Sequence, residues 1–269
     1  MCSKRTAIVK SIPSVADLLS LRDKVAVVTG ASQGIGAGIA LRLAEAGATT
    51  VVHYRSNEAG ANAVVDEIRA ANGEAIALGA RLEDESATKA FIDQIKHEYK
   101  SIDVLVNNAG VFPSKPFLEM SLKDWNEMFS ANVDTAFNCS KFAADAMKAA
   151  DGGTIVNVAS ISALCPGDNH SHYNSSKAAM VMMTRSMAKE LARHGIRVNA
   201  VSPGLIDSDR LPDAWPEGVA SWKENAPLGV LGQASDVADA CLFLCTAASR
   251  FITGHNLVVD GGIMSTDLY

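Results

Sequence analysis

Short apolar runs rich in β-branched residues recur along the chain at residues 24–29, 50–52, 74–78, 103–106, 154–159, 197–201 and 257–259. They are apolar throughout rather than alternating, the pattern of strands covered on both faces. The segments between them are long enough for crossover helices, so the rhythm predicts an α/β fold: a parallel sheet with helices on both faces. Gly47, Gly73 and Gly195 each follow an apolar helical pattern and are predicted helix C-terminal glycines. Two stretches depart from the rhythm. Residues 1–21 form an N-terminal extension in which Ser14 is placed to cap a short helix. Residues 205–230, with Trp215, Pro216, Trp222 and Pro227, read as a long irregular connection of the kind that serves as a lid. No compositional break marks a linker, which predicts a single catalytic domain over residues 22–269.

Composition narrows the function classes. Of 269 residues, 48% are hydrophobic and 20% charged, which excludes a disordered, collagen-like or coiled-coil chain. A net charge of −6 with no long basic run gives no electrostatic footprint for nucleic acid or an anionic membrane, so any phosphate-bearing ligand needs local help to bind. The five cysteines are odd in number and include no CxxC pair, arguing against a disulfide framework or a zinc site. Cys241 and Cys245, four apart on a predicted helix, read as core packing. The N-terminal region's longest apolar run covers only residues 7–9, too short for a signal-peptide core, and no stretch is apolar enough to span a membrane. These features together read as a cytoplasmic protein. Asp168, His170 and His172 lack the spacing of a metal set, and no metal is expected.

The local help comes where the first predicted strand runs into Thr29-Gly30-Ala31-Ser32-Gln33-Gly34-Ile35-Gly36 and then an apolar helix. Glycines at a strand-to-helix turn let the backbone approach a pyrophosphate, and the helix N-terminus offers unpaired N–H groups and a positive dipole end. The spacing is not GxGxxG, and no Lys-Ser/Thr follows as in a triphosphate-binding loop. Further along, Tyr173 and Lys177 are four apart and share one face of a predicted helix. A phenol titrates at about 10, and a nearby ammonium favours its ionised form and makes it a usable general acid or base. Ser160 ends a predicted strand thirteen residues earlier.

These motifs in this order resemble the short-chain dehydrogenase/reductase family. TGxxxGxG is matched by Thr29, Gly30, Gly34 and Gly36, followed by Asn107-Asn108-Ala109-Gly110, by Tyr173 and Lys177 as YxxxK, and by Pro203-Gly204. The likeness covers residues 22–263 and is nearest to 3-oxoacyl-carrier-protein reductase-like and polyol or ketone reductase members. It implies a Rossmann-like, doubly wound sheet of seven parallel strands. It also implies that Ser160 hydrogen-bonds the substrate oxygen, Tyr173 transfers the proton, and Lys177 binds the nicotinamide ribose and lowers the Tyr173 pKa. Asn132 matches the helix Asn that holds a water in a proton relay to the Lys; an Asn inside a helix is disfavoured unless its side chain or a local backbone irregularity serves such a purpose.

The cofactor contacts implied by the resemblance are Gly30, Ser32, Gln33, Gly34, Ile35 and Gly36 in the first turn, Arg81 and Leu82 after the third strand, and Asn108, Ala109 and Gly110 after the fourth. Pro203, Gly204, Ile206 and Ser208 belong to the segment that closes over the nicotinamide carboxamide. Tyr54 stands where NAD-using relatives carry Asp, and Arg55 and Ser56 follow. Arg can pair with a 2′-phosphate that an acidic residue would repel, so NADP(H) is favoured over NAD(H). Two departures from the family pattern stand beside that reading: Gln33 where many NADP-using relatives are basic, and Arg81 where an Asp often meets the adenine amino group.

The sequence therefore predicts an NADPH-dependent carbonyl reductase, reversible as an alcohol dehydrogenase, acting on a small molecule and assembled as a homotetramer. The alternatives are an NAD-dependent polyol, sugar or hydroxysteroid dehydrogenase and, in another class, a nonenzymatic NADP(H)-binding regulator. Substrate contacts are expected from residues 111–116, 161–172 and the 205–230 lid, with Trp215 and Trp222 as apolar walls. His170 and His172 are expected to meet solvent or a neighbouring subunit. Met180, Met183 and Met187 are expected to face the core or a subunit interface.

Overall fold

The computed structural model describes residues 13–150, 152–208 and 211–266. Seven parallel strands, β1 Val25–Val28, β2 Thr49–Tyr54, β3 Glu74–Gly79, β4 Val104–Asn107, β5 Gly153–Val158, β6 Ile196–Pro203 and β7 Asn256–Val259, lie in the order β3-β2-β1-β4-β5-β6-β7. All seven predicted strands are present. The helices are α1 Val15–Leu18, α2 Gly34–Glu45, α3 Glu58–Ala70, α4 Glu85–Tyr99, α5 Leu122–Phe129, α6 Thr135–Ala149, α7 Ser171–Leu191, α8 Leu211–Ala214, α9 Pro216–Asn225 and α10 Ala234–Cys245.

Period-2 alternation of side chains sorts β1 between two cores. Ala26 and Val28 pack with Ile39, Leu43, Val64 and Leu244 from α2, α3 and α10. Val25 and Val27 pack with Phe91, Ile95 and Met147 from α4 and α6. Burial on both faces is why these strands read as continuous apolar runs. Strand order reverses between β1 and β4, and the crevice outside the carboxyl ends of those strands is where ligands bind in open α/β sheets.

The predicted caps and core positions are mostly as expected. Ser14 accepts from the Asp17 N–H and caps α1. Gly47 and Gly195 adopt left-handed φ values of 99° and 71°. After α3 the left-handed residue is instead Asn72, at φ 64°. Gly73 is held to glycine by packing, since a Cβ there would lie 2.8 Å from Ile68 Cγ2. Cys241, Cys245 and Met180 are buried, with Met183 and Met187 packed partly against the cores.

The 205–230 connection is less irregular than predicted. Ile206 bridges to Gly232, α8 follows, and Pro216 opens α9, where its missing N–H matters least. Trp222 donates its indole N–H to Val230 O at 3.1 Å and packs on Gly204, where a Cβ would come 2.6 Å from Trp222 Cη2. Among the described residues, no helix is long and apolar enough to cross a membrane.

Candidate active site

The turn after β1 is built by hydrogen bonds that the Thr29 and Asn108 side chains make between two loops. Thr29 Oγ1 accepts the Asn108 and Ala109 N–H groups at 2.9 and 3.0 Å, and Asn108 Nδ2 donates to the Thr29 and Gly30 carbonyls, both at 3.0 Å. Gly30 sits at φ 62° with its backbone against Ala109, and a Cβ on Gly36 would lie 2.4 Å from both Gly30 O and Asn108 Nδ2. Gln33 precedes α2 without capping it by its side chain. The first-turn N–H groups of α2 thus stand without a side-chain cap at the positive end of the helix dipole.

Beyond this turn, a cleft is lined by Ser32, Gln33, His53, Arg55, Ser56 and Leu82, with Gly110 on its far side. Arg55 Nη2 lies 2.9 Å from Glu83 Oε1, and Arg81 holds the same oxygen at 3.0 Å. Glu83 was not singled out from sequence, and it engages both arginines. Backbone hydrogen bonding and the two guanidinium groups hold its carboxyl below the usual range against the opposing effect of burial. Tyr54 lies over β3: a Cβ on Gly79 would come 2.8 Å from its ring. Burial and nearby Glu58 push its phenol up.

The reacting end forms where β4 and β5 finish. Residues Ser130–Asp134 make a π-helical turn between α5 and α6, the backbone irregularity anticipated around Asn132. Buried Asn132 accepts the Val111 N–H at 2.8 Å and donates to Val111 O and Ser176 Oγ at 3.0 and 3.1 Å. Ser176 in turn donates to Tyr173 O at 2.8 Å. A Cβ on Gly110 would come 2.7 Å from Asn132 Oδ1 and 3.9 Å from Lys177 Nζ, so Asn132 and Lys177 converge on this glycine.

Lys177 donates to Val158 O at 2.8 Å, its Nζ lies 5.7 Å from the centre of the Tyr173 ring, and burial brings its pKa down to about 8. The expected lowering of the Tyr173 pKa by Lys177 is not the outcome here. Burial pushes the phenol up, and the nearby Ser160 hydroxyl opposes it. Ser160 Oγ also accepts the Ser162 N–H at 3.1 Å, which fixes the hydroxyl at the start of a short turn.

Phe112 and His170 stand edge-on to Tyr173, at ring separations of 6.4 and 6.1 Å. His172 departs from its expected solvent contact: it is buried, and its Nδ1 accepts the Tyr173 N–H at 3.0 Å, meeting a first-turn donor of α7. Pro203 ends β6 and Gly204 donates to Val259 O at 2.9 Å, while Ser208 is exposed. The structure thus brings Ser160, Tyr173, Lys177 and Asn132 together beside the glycine turn. Two neighbouring hydroxyls can both donate to a single substrate oxygen, and one of them can pass it a proton.

A doubly wound sheet with a glycine turn at the switch point and a Ser-Tyr-Lys cluster beside it defines a nicotinamide-dependent oxidoreductase acting on CH–OH or carbonyl groups. A family model described as enoyl-(acyl carrier protein) reductase matches residues 30–264, and the chain belongs to the short-chain dehydrogenase/reductase family. It is 37% identical over 240 residues to a 3-oxoacyl-[acyl-carrier-protein] reductase of Staphylococcus aureus, covering 89% of this chain and 98% of the relative. Among solved structures it is similar to a 7α-hydroxysteroid dehydrogenase complexed with NADH and 7-oxo glycochenodeoxycholic acid, with TM-score 0.89, 38% identity and 93% and 98% of the two chains covered. It is also similar to a gluconate 5-dehydrogenase from Burkholderia cenocepacia in complex with NADP and tartrate, with TM-score 0.89, 31% identity and 94% and 100% covered. The residues present fit a nicotinamide dinucleotide. The space at Gly36 admits no side chain, α2 starts without a side-chain cap, and an arginine-bearing cleft is lined by Ser32 and Gln33 just before it.

Proposed function

We propose that the protein reduces a ketone or other carbonyl substrate to the alcohol with NADPH, reversibly. The reading rests on one observation: Lys177 Nζ lies 5.7 Å from the centre of the Tyr173 ring and converges with Asn132 on Gly110, with the Ser160 hydroxyl near enough to act on the phenol. The nicotinamide supplies the hydride when bound. Ser160 donates to the substrate oxygen and stabilises its developing charge, and Tyr173, kept protonated by its burial, delivers the proton. Lys177 holds the ribose hydroxyls. Asn132, its carbonyl on the Val111 N–H, fixes the loop behind the reacting groups and belongs to the relay that returns a proton to Tyr173. Arg55, 57% exposed and beside Arg81, pairs with the 2′-phosphate. The gluconate 5-dehydrogenase holding NADP supports this choice.

An NAD-dependent hydroxysteroid, polyol or sugar dehydrogenase is the second reading, favoured by Glu83, which already occupies both arginines, and by the similar structure holding NADH. Phe112, 73% exposed beside Tyr173, suits a substrate with an apolar flank, and residues 205–230 serve as the lid of a single catalytic domain. A homotetramer is supported by exposed Leu122 on α5 and Phe137 on α6, and a cytoplasmic setting by free Cys139, Cys165, Cys241 and Cys245. A panel of ketones, 3-oxoacyl thioesters and ketoses, followed by NADPH and NADH absorbance, tests the proposal. Turnover with NADPH is expected; turnover with NADH alone establishes the second reading, and none on any carbonyl moves the protein to a regulatory role.

A further inference from the structure

His53, near the carboxyl end of β2, is 2% exposed and reaches two loops of the nucleotide face at once. Its Nδ1 accepts the Gly30 N–H at 3.1 Å, and its Nε2 lies 3.1 Å from Ala80 O. An amide N–H can only donate and a carbonyl oxygen can only accept, so both bonds require a neutral ring with its hydrogen on Nε2. The main chain adds a third tie, since His53 O accepts the Ala31 N–H at 2.8 Å. Gly30 and Ala31 belong to the glycine turn, and Ala80 leads into Arg81 and Leu82 on the opposite side of the cleft.

We infer that His53 is a positioning residue for the cofactor: its neutral imidazole is a brace that sets the separation between the glycine turn and the loop after β3. The groups packed around it keep it neutral. From α4 comes the edge of the Phe91 ring, at 5.3 Å between centres, and from the glycine turn come only backbone amides. The one charge acting on it is Glu83, whose carboxylate is engaged by Arg55 and Arg81. Burial therefore dominates and holds the ring's pKa down to about 4, so the brace stands throughout the neutral range. A protonated ring would set an Nδ1–H against the Gly30 N–H and open the turn. The inference rests on the family's use of a nicotinamide dinucleotide and not on the choice of NADP over NAD.

The test is to titrate NADP+ and NAD+ by calorimetry against the wild type, His53→Phe and His53→Asn, with kcat measured at saturating cofactor. Phe keeps the ring's bulk and loses both ring ties, whereas the Asn oxygen stands in for Nδ1 toward the Gly30 N–H but cannot reach Ala80 O. Expected for His53→Phe is about tenfold weaker binding of the nucleotides the wild type binds, the equivalent of ~1.4 kcal/mol, with kcat within twofold. His53→Asn, with one tie of the two, should fall between wild type and His53→Phe, about three- to fivefold weaker than wild type. Unchanged affinity in His53→Phe, or wild-type affinity in His53→Asn, which lacks the Ala80 tie, would overturn the assignment. Should His53→Phe fail to fold, His53→Asn and 15N-histidine spectra at pH 6 decide: a ring carrying its hydrogen on Nε2 supports the brace, and a protonated ring or one with its hydrogen on Nδ1 refutes it. A wild type that binds neither nucleotide overturns the cofactor reading and the brace together, so the two failures are distinct.

Discussion

Replacing Lys177 by Met should stabilise the fold at neutral pH while abolishing turnover. The ammonium is 5% exposed and donates to one backbone carbonyl, Val158 O. Burial takes its pKa from 10.5 to about 8, and at about 1.4 kcal/mol for each tenfold change in proton affinity this amounts to about 3 kcal/mol. The unfolded chain keeps the proton up to about 10.5, whereas the folded protein releases it near 8. The unfolded state therefore binds more protons between those values, so the contribution to stability rises with pH across that window and the full penalty acts below about 8. Met removes the penalty but leaves Val158 O without its donor, which costs roughly 1–3 kcal/mol. The net expectation is a variant up to about 2 kcal/mol more stable at pH 7, with the gain gone or reversed near pH 10.5. Urea unfolding at the two pH values measures the difference. A variant less stable than wild type at pH 7 would refute the reasoning, because the buried ammonium would then be a net contributor to the fold.

Tyr173→Phe should bind cofactor within about twofold of wild type and lose about 10²–10⁴ in kcat, the range for a lost general acid; stopped-flow turnover beside fluorescence titration checks both. Glu83→Gln frees Arg55 and Arg81 from two exposed ion pairs worth roughly 0.5 kcal/mol each, so NADPH should bind about fivefold tighter while NADH is unchanged, and weaker NADPH binding would show that Glu83 aligns the arginines instead. Gly36→Ala forces a methyl to 2.4 Å from Gly30 O, where only backbone can yield. Equilibrium binding should weaken at least about tenfold for either nucleotide, with the far-UV circular dichroism retained.

The central strands were legible because they are covered on both faces, so burial is written locally as unbroken apolar runs. The Tyr173 and Lys177 pair was legible for a similar reason: helical spacing places both on one face within a single segment. What escaped the sequence depends on which segments meet. His172 lies in a polar stretch, yet the chain buries it to satisfy the Tyr173 N–H. Glu83 sits in an unremarkable acidic run, 83–85, and matters because β2 and β3 end side by side.

That register also bears on the cofactor. Tyr54 pairs with Gly79, and a glycine there lets the phenol ring lie over β3. With a side chain at position 79 the ring would be turned away, toward the cleft where an acidic residue would otherwise receive the ribose. Its present placement leaves Arg55, one residue beyond the strand, to face Glu83 and Arg81 across the cleft mouth. On the proposed NADPH reading, the choice between NADP and NAD therefore turns on a balance of two arginines against one carboxylate. Only Arg55 and Arg81 announced themselves in the sequence; the carboxylate between them is a product of strand pairing.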